Sequence, residues 1–149
     1  MAAASRCWRL KLSNTSGLCS RVLGASYPGL EDDMKYLCLI YDEEAKIATM
    51  SKSDAEAFMG EYFAFTEDIK KSGHYVAGEA LKPVNTATTV RMRNGKMSTT
   101  DGPFAETKEQ LGGFYMIEAR DLNDALKVAS RIPSAKHGSV EVRPVEVFS

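Results

Sequence analysis

"KYLCLIY", residues 35 to 41, is apolar on both of its alternating faces and rich in aromatic and branched side chains. A strand with one wet face would alternate apolar with polar, so this one is expected at the centre of a sheet, covered on both sides. The next segment supplies one cover. "SDAEAFMGEYFAFTEDIKKSG", residues 53 to 73, repeats Ala55, Phe58, Tyr62, Phe65 and Ile69 at three- and four-residue spacing, the signature of one face of a helix over 54–72. Ser53 with Glu56 reads as a capping box at its start, and Lys70, Lys71 and Gly73 as its end.

Working outward, "HYVAGEAL" (74–81) and "TATTVRM" (86–92) read as strands separated by a turn at "KPVN". "RNGK" at 93–96 is a hairpin signal, because a type I′ turn needs positive φ at both central positions and Asn-Gly supplies it. It leads to a short strand over 96–100, then to "TTDGPFAETKEQLGGFYMIEA" (99–119), whose last six residues form a further strand. In "DLNDALKVASRIP", Asp121 caps a second amphipathic helix and Pro133 ends it. "SVEVRPVEV" (139–147) closes the chain as a strand that Pro144 assigns to an edge or a bulge. The order β-α-β, hairpin, β-α-β is that of an α+β fold, a ferredoxin-like single antiparallel sheet with two helices on one face. The other sheet face, apolar and without a helix, calls for a homodimer that packs sheet against sheet about a two-fold.

Composition sets the limits. At 149 residues, 44% hydrophobic and 26% charged, the chain can bury a core without disulfides or metal. Cys7, Cys19 and Cys38 are odd in number and lack C-x-x-C spacing, which suits free thiols in a reducing compartment, the cytoplasm by default. The net charge of −1 and the absence of a long apolar run count against nucleic acid and membrane as main partners. Residues 1–33 stand apart: Arg6, Arg9, Lys11 and Arg21 lie among many Ser and Ala, with no acid before Glu31. Such a leader, expected to be disordered or cleaved, fits a transit peptide to an organelle matrix or unstructured sequence ahead of a fold that begins at Met34. The folded domain is accordingly expected over 34–149. No Walker loop, GxGxxG, CxxC, HExxH or GxSxG occurs, so no cofactor or metal is expected.

"DGPFAETKEQLGGFY", with "MKYLCLIY", "AGEAL" and "HGSVEVRPV", resembles the DGPF branch of the YCII-related family from about Met34 to Val147. The resemblance implies a ferredoxin-like fold assembled as a dimeric α/β barrel. It implies no defined reaction, although lyase chemistry such as dehydrochlorination is attributed to a relative and a His-Asp pair is proposed as the wider family's active site. Asp101 is the residue that corresponds to that aspartate; the helix over 54–72 contains no histidine to match its partner.

Each candidate residue has two readings. Asp101, ahead of Gly102-Pro103, is a general acid or base beside an apolar wall, or an Asp that bonds the amides of its own turn. Glu79 faces a pocket shared with Asp101, or alternation turns it to solvent. Lys108 folds over the pocket to neutralise an anion, with Glu109 beside it, or both are surface charges on a helical turn begun by Thr107 and Gln110. His137 is the better placed imidazole for proton transfer; His74, after the helix-ending Gly73, suits the helix C-terminus. Arg91, Arg93 and Arg143 bind a carboxylate or line exposed strand faces, and Tyr115 donates a hydrogen bond or packs in the core. The expectation is a pocket-forming dimer with a small-molecule ligand: a cofactor-free lyase or isomerase for a small organic acid or ring compound, or a non-catalytic binding or regulatory module.

Overall fold

The computed structural model describes residues 34–147; the leader over 1–33 lies outside the described residues. Nine elements form the domain: β1 (Met34–Asp42), α1 (Glu44–Ala48), α2 (Lys52–Lys71), β2 (Tyr75–Ala80), β3 (Thr88–Arg93), β4 (Lys96–Asp101), β5 (Gln110–Ala119), α3 (Leu122–Ala129) and β6 (Ser139–Pro144). The main sheet has the order β2-β5-β1-β6 and every pairing in it is antiparallel. This is the α+β, ferredoxin-like arrangement. The central position of "KYLCLIY" follows, because β1 pairs with both β5 and β6. Pro144 ends β6, an edge strand, where a missing N–H costs no ladder bond.

Burial in β1 alternates. Tyr36, Cys38, Ile40 and Asp42 are buried, while Leu37, Leu39 and Tyr41 between them are half-exposed. The buried set joins Tyr115, Ile117 and Ala119 of β5, Phe65 and Ile69 of α2, and Ala125, Val128 and Ala129 of α3 in one core. Both helices therefore cover the same sheet face. Burial pushes the Cys38 thiol up to about 11, which leaves it an inert apolar group.

The termini of the elements follow local chemistry. Helix α2 ends in a Schellman motif, in which His74 N–H donates to Ile69 O and Gly73 N–H to Lys70 O, with Gly73 at φ +80°. Asn94 and Gly95, at φ 51° and 73°, make the expected type I′ turn. Helix α3 is capped by Asp121, whose carboxylate accepts from Asp124 N–H at 2.8 Å.

Several expectations need correction. The hairpin β3–β4 is a separate two-stranded ribbon rather than part of a single sheet. The N-cap of α2 is Ser51, not Ser53; its hydroxyl accepts from Asp54 N–H, so the helix begins at Lys52, two residues earlier than expected. Thr107 and Gln110 form no helical turn, because Gln110 already opens β5 opposite Asp42. Helix α3 stops at Ala129, and residues 133–136 form a short 3₁₀ turn, since Pro133 holds Ile132 at ψ 128° and the helix cannot continue. Helix α1 was not expected at all. Among the described residues no helix is long and apolar enough to cross a membrane.

The junction of α2 with α3 carries a pH-dependent contact. Arg120 bonds the Asp124 carboxylate and His74 Nε2 lies 3.6 Å from it; the Arg120 hydrogen bonds chiefly, with the charges of Arg120 and His74, hold this acid at about 2 against an ordinary 3.8. A depressed carboxylate stabilises the fold above its unfolded pKa and loses that contribution as pH falls through the folded one. Asp124→Asn is thus expected to melt below wild type at neutral pH, and the gap should close between pH 3.8 and about 2 in a thermal melt series. An equal gap at every pH would contradict this.

Candidate functional site

A cavity of about 660 Å³ lies against the buried sheet face, between α2, α1 and the adjoining ends of β1, β2 and β5. Its size is that of a small-molecule site. Ile40 and Tyr115 line it from the sheet, Phe58 and Tyr62 from α2, and Ile47 from α1. Its rim includes Met59, 50% exposed, and Phe63, 67% exposed, so the mouth as well as the floor is apolar.

The polar groups of the lining are few, and nearly all are held. Asp42, only 9% exposed, ends β1 at the pocket floor. The Ser134 hydroxyl donates to Asp42 Oδ2, and the Tyr62 phenol, 2.6 Å from Ser134 Oγ, donates to that hydroxyl in turn. Burial, with the Ser134 hydrogen bond opposing it, pushes the Tyr62 phenol up, so Tyr62 stays protonated and serves as donor. Asp42 is positioned from the other side by Gly138: a Cβ there would lie 2.1 Å from Tyr41 O and 2.7 Å from Asp42 Oδ1. Close approach, not turn geometry, makes glycine necessary at 138.

A second run of contacts fixes the rim. Val84 N–H donates to Glu44 Oε1 at 2.9 Å, Glu44 N–H to Gln110 Oε1 at 3.1 Å, and Gln110 Nε2 to Thr107 O at 2.6 Å. Gln110 is thereby the partition between the large cavity and a smaller hollow of about 270 Å³ lined by Gly102, Pro103 and Thr107. On the sheet side, Tyr115 OH donates to Thr66 Oγ1 at 2.7 Å, and Thr66 to Tyr62 O. Gly78 lets the Tyr115 ring pass, since a Cβ would lie 2.5 Å from its Cδ1.

The residues singled out from sequence are dispersed. Asp101 ends β4, opposite Thr88, exposed and outside the lining of the large cavity; its neighbours Gly102 and Pro103 line the smaller hollow. The turn is held by Gly102 N–H to Ala87 O and Thr89 Oγ1 to Gly102 O, without the Asp101 side chain. Glu79 is on the wall of the large cavity, though its pairing with Phe114 assigns it to the helix-free sheet face. Lys108, 81% exposed, turns to Glu43 at 3.4 Å, and Glu109 accepts from Ser139 Oγ at 2.7 Å. Lys46 and then Lys108 hold the Glu43 carboxyl below its usual range. Arg91 is on the ribbon, at a position opposite Ser98. His137 is exposed at the pocket's outer margin, its ring centroid 6.4 Å from that of Phe58. Tyr115 is both core and hydrogen-bonded, packed edge-on against Phe65 at 5.3 Å.

Asp42, Ser134 and Tyr62 were not expected as a group. One signal was available: Asp42 continues the period-two series Tyr36, Cys38, Ile40, which marks an inward-facing carboxylate. Nothing local marks Ser134, which is brought to Asp42 from 92 residues away.

Among known proteins, the chain is 37% identical over 117 residues to an uncharacterised protein of Rhizobium meliloti (strain 1021), covering 77% of this chain and 94% of the relative. The profile of the YCII-related domain matches residues 34–149, which takes in every element described above. The chain therefore belongs to the YCII-related domain family.

Proposed function

We propose that the chain binds a small, largely apolar ring compound in the large cavity and moves a proton on it with Asp42. The observation that carries this reading is the Asp42 carboxylate, buried at the floor of an apolar pocket and oriented by Ser134 and Tyr62. Such a carboxylate takes a proton from a carbon made acidic by a neighbouring group; it then returns that proton to another carbon for isomerisation, or keeps it while the C–H electron pair forms a double bond and the substrate expels a leaving group with its bonding pair. The Ser134 hydroxyl, donating to one carboxylate oxygen, fixes the direction of the other lone pairs. In this reading the DGPF-type segment around Asp101 shapes the smaller hollow and the loop anchored by Gln110, and Asp101 is not the acid or base. The scarcity of polar groups away from Asp42 favours, as a second reading, a carrier or sensor that binds without turnover.

We also propose a homodimer. Leu37, Leu39 and Tyr41 share the helix-free face with Met116 and Phe114, which stand opposite Leu37 and Leu39 in the register. Its charged neighbours pair within the protomer, Lys35 with Glu118 and Arg143 with Glu141, so the face carries both signs and suits a second copy about a two-fold. The same reading puts the protein in the cytoplasm, or in an organelle matrix if residues 1–33 are a transit peptide.

Neutral ring compounds that raise the melting temperature are the starting point for a test. Bound compounds are then followed by NMR in heavy water for exchange of carbon-bound hydrogen. Wild type is expected to catalyse exchange, and Asp42→Asn to slow it by about a hundredfold or more while still binding the compound. Binding with no exchange by wild type would leave the carrier reading, and exchange untouched by Asp42→Asn would remove Asp42 from the chemistry.

A further inference from the structure

We propose that the ligand of the large cavity carries a protonated nitrogen on an apolar body, and that this ammonium supplies the counter-charge Asp42 lacks. The inference rests on the cavity being the ligand site, as proposed above. Its starting point is an imbalance. A buried carboxylate is ordinarily paired with a cation, because an unpaired buried charge is costly. Asp42 is nine-tenths buried, yet among the described residues no Lys, Arg or His makes an ion pair with it, and its one hydrogen-bond donor is the neutral Ser134 hydroxyl.

The rest of the lining has the same sign. Its inward charged residues are Asp42 and Glu44, Glu79 being assigned by its pairing to the helix-free face, and it contains no Lys, Arg or His. Of the lysines around the rim, Lys46 and Lys108 both pair with Glu43 and Lys136 with Glu61, while Lys82, between the lining residues Leu81 and Pro83, is exposed and is not itself part of the lining. An organic acid entering here would meet carboxylates and no cation, whereas an amine meets carboxylates and aromatic rings. Phe58 and Tyr62, packed edge-on at 5.2 Å, and Tyr115 opposite them offer rings to a cation, a contact that an aromatic pocket adds to the ion pair. The substrate class narrows accordingly from organic acids and ring compounds in general to amine-bearing ring compounds. Pairing the nitrogen with Asp42 also brings the carbon beside it to the same carboxylate.

Three probes of like size separate the head-group charge from the apolar body: phenethylamine, phenethyl alcohol and hydrocinnamate. Each is titrated into the full chain at neutral pH and followed by ligand-observed NMR. The amine is expected to bind about tenfold more tightly than the alcohol, and the acid more weakly than either. Asp42→Asn, which keeps an acceptor for Ser134, should remove most of the amine's advantage and leave the alcohol's affinity unchanged. Glu44→Gln, which keeps an acceptor for Val84 N–H, should reduce the advantage in part and guards against a misfolded Asp42 variant. Acid binding as tight as amine binding, or no difference between amine and alcohol, overturns the inference while the pocket reading stands. If none of the three binds, the pocket reading falls and the inference with it.

Discussion

Gly138→Ala is expected to cost about 3 kcal/mol of folding stability, read as a lower urea midpoint at unchanged slope. The added methyl carbon would lie 2.1 Å from Tyr41 O, a main-chain atom that cannot rotate away, and 2.7 Å from Asp42 Oδ1. Relief requires the end of β1 or the start of β6 to move, and these strands pair at Tyr41 and Ser139, the residue after Gly138. The same movement would displace Asp42 from Ser134, so ligand binding should weaken along with stability. Gly112→Ala is the control, because a Cβ there meets nothing within 4 Å. A Gly138→Ala protein as stable as Gly112→Ala would mean that the approach of these backbones is looser than described.

The second large effect concerns assembly. Leu39→Arg is expected to turn a dimer into a monomer in sedimentation, weakening association by about a hundredfold or more. Leu39 is half-exposed in the protomer and stands opposite Phe114 on one side and Glu141 on the other, at the middle of the helix-free face. An arginine there remains hydrated in the monomer but would be buried against its own two-fold copy in the dimer, like charge on like. The protomer itself should melt cooperatively, which separates lost assembly from lost folding. Wild type sedimenting at the monomer mass of 16.3 kDa would remove the dimer from the account.

The parts of the fold legible in the sequence are those whose signal is local and repeated. The apolar run of β1, the three- and four-residue spacing in α2 and α3, the Asn94-Gly95 turn and the Asp121 cap each state their conformation within a few residues. Helix α1, Glu44–Ala48, has five residues and cannot show a helical period. The early start of β5 was hidden because Gly112 and Gly113 are poor strand formers; their strand state comes from partners on β1 and β2, with Gly113 opposite both Ile40 and Ala80.

The site was less legible for a related reason. Asp101, Glu79 and His137 drew notice because each stands out among its own neighbours, but the fold carries them to the ribbon, a sheet edge and an exposed turn. The grouping at the pocket floor joins β1, α2 and the turn that begins at Pro133, three segments distant in sequence that meet only in the folded domain. Ser134 follows the helix-ending Pro133, with nothing in its sequence neighbourhood to mark it, and is fully buried in the fold. Inward alternation at Asp42 was the one trace of the site that the chain displayed locally.

On the proposal above, the cavity floored by Asp42 is where this protein meets its ligand. Backbone amide shifts of the isotope-labelled full chain, recorded while phenethyl alcohol is titrated, test it most directly. Saturable shifts are expected, concentrated at Thr66, Gly112 and Tyr115, residues from α2 and β5 that line the cavity. Shifts concentrated instead at Gly102, Ala105 and Thr107, around the smaller hollow, or no saturable shift in either place, would contradict it.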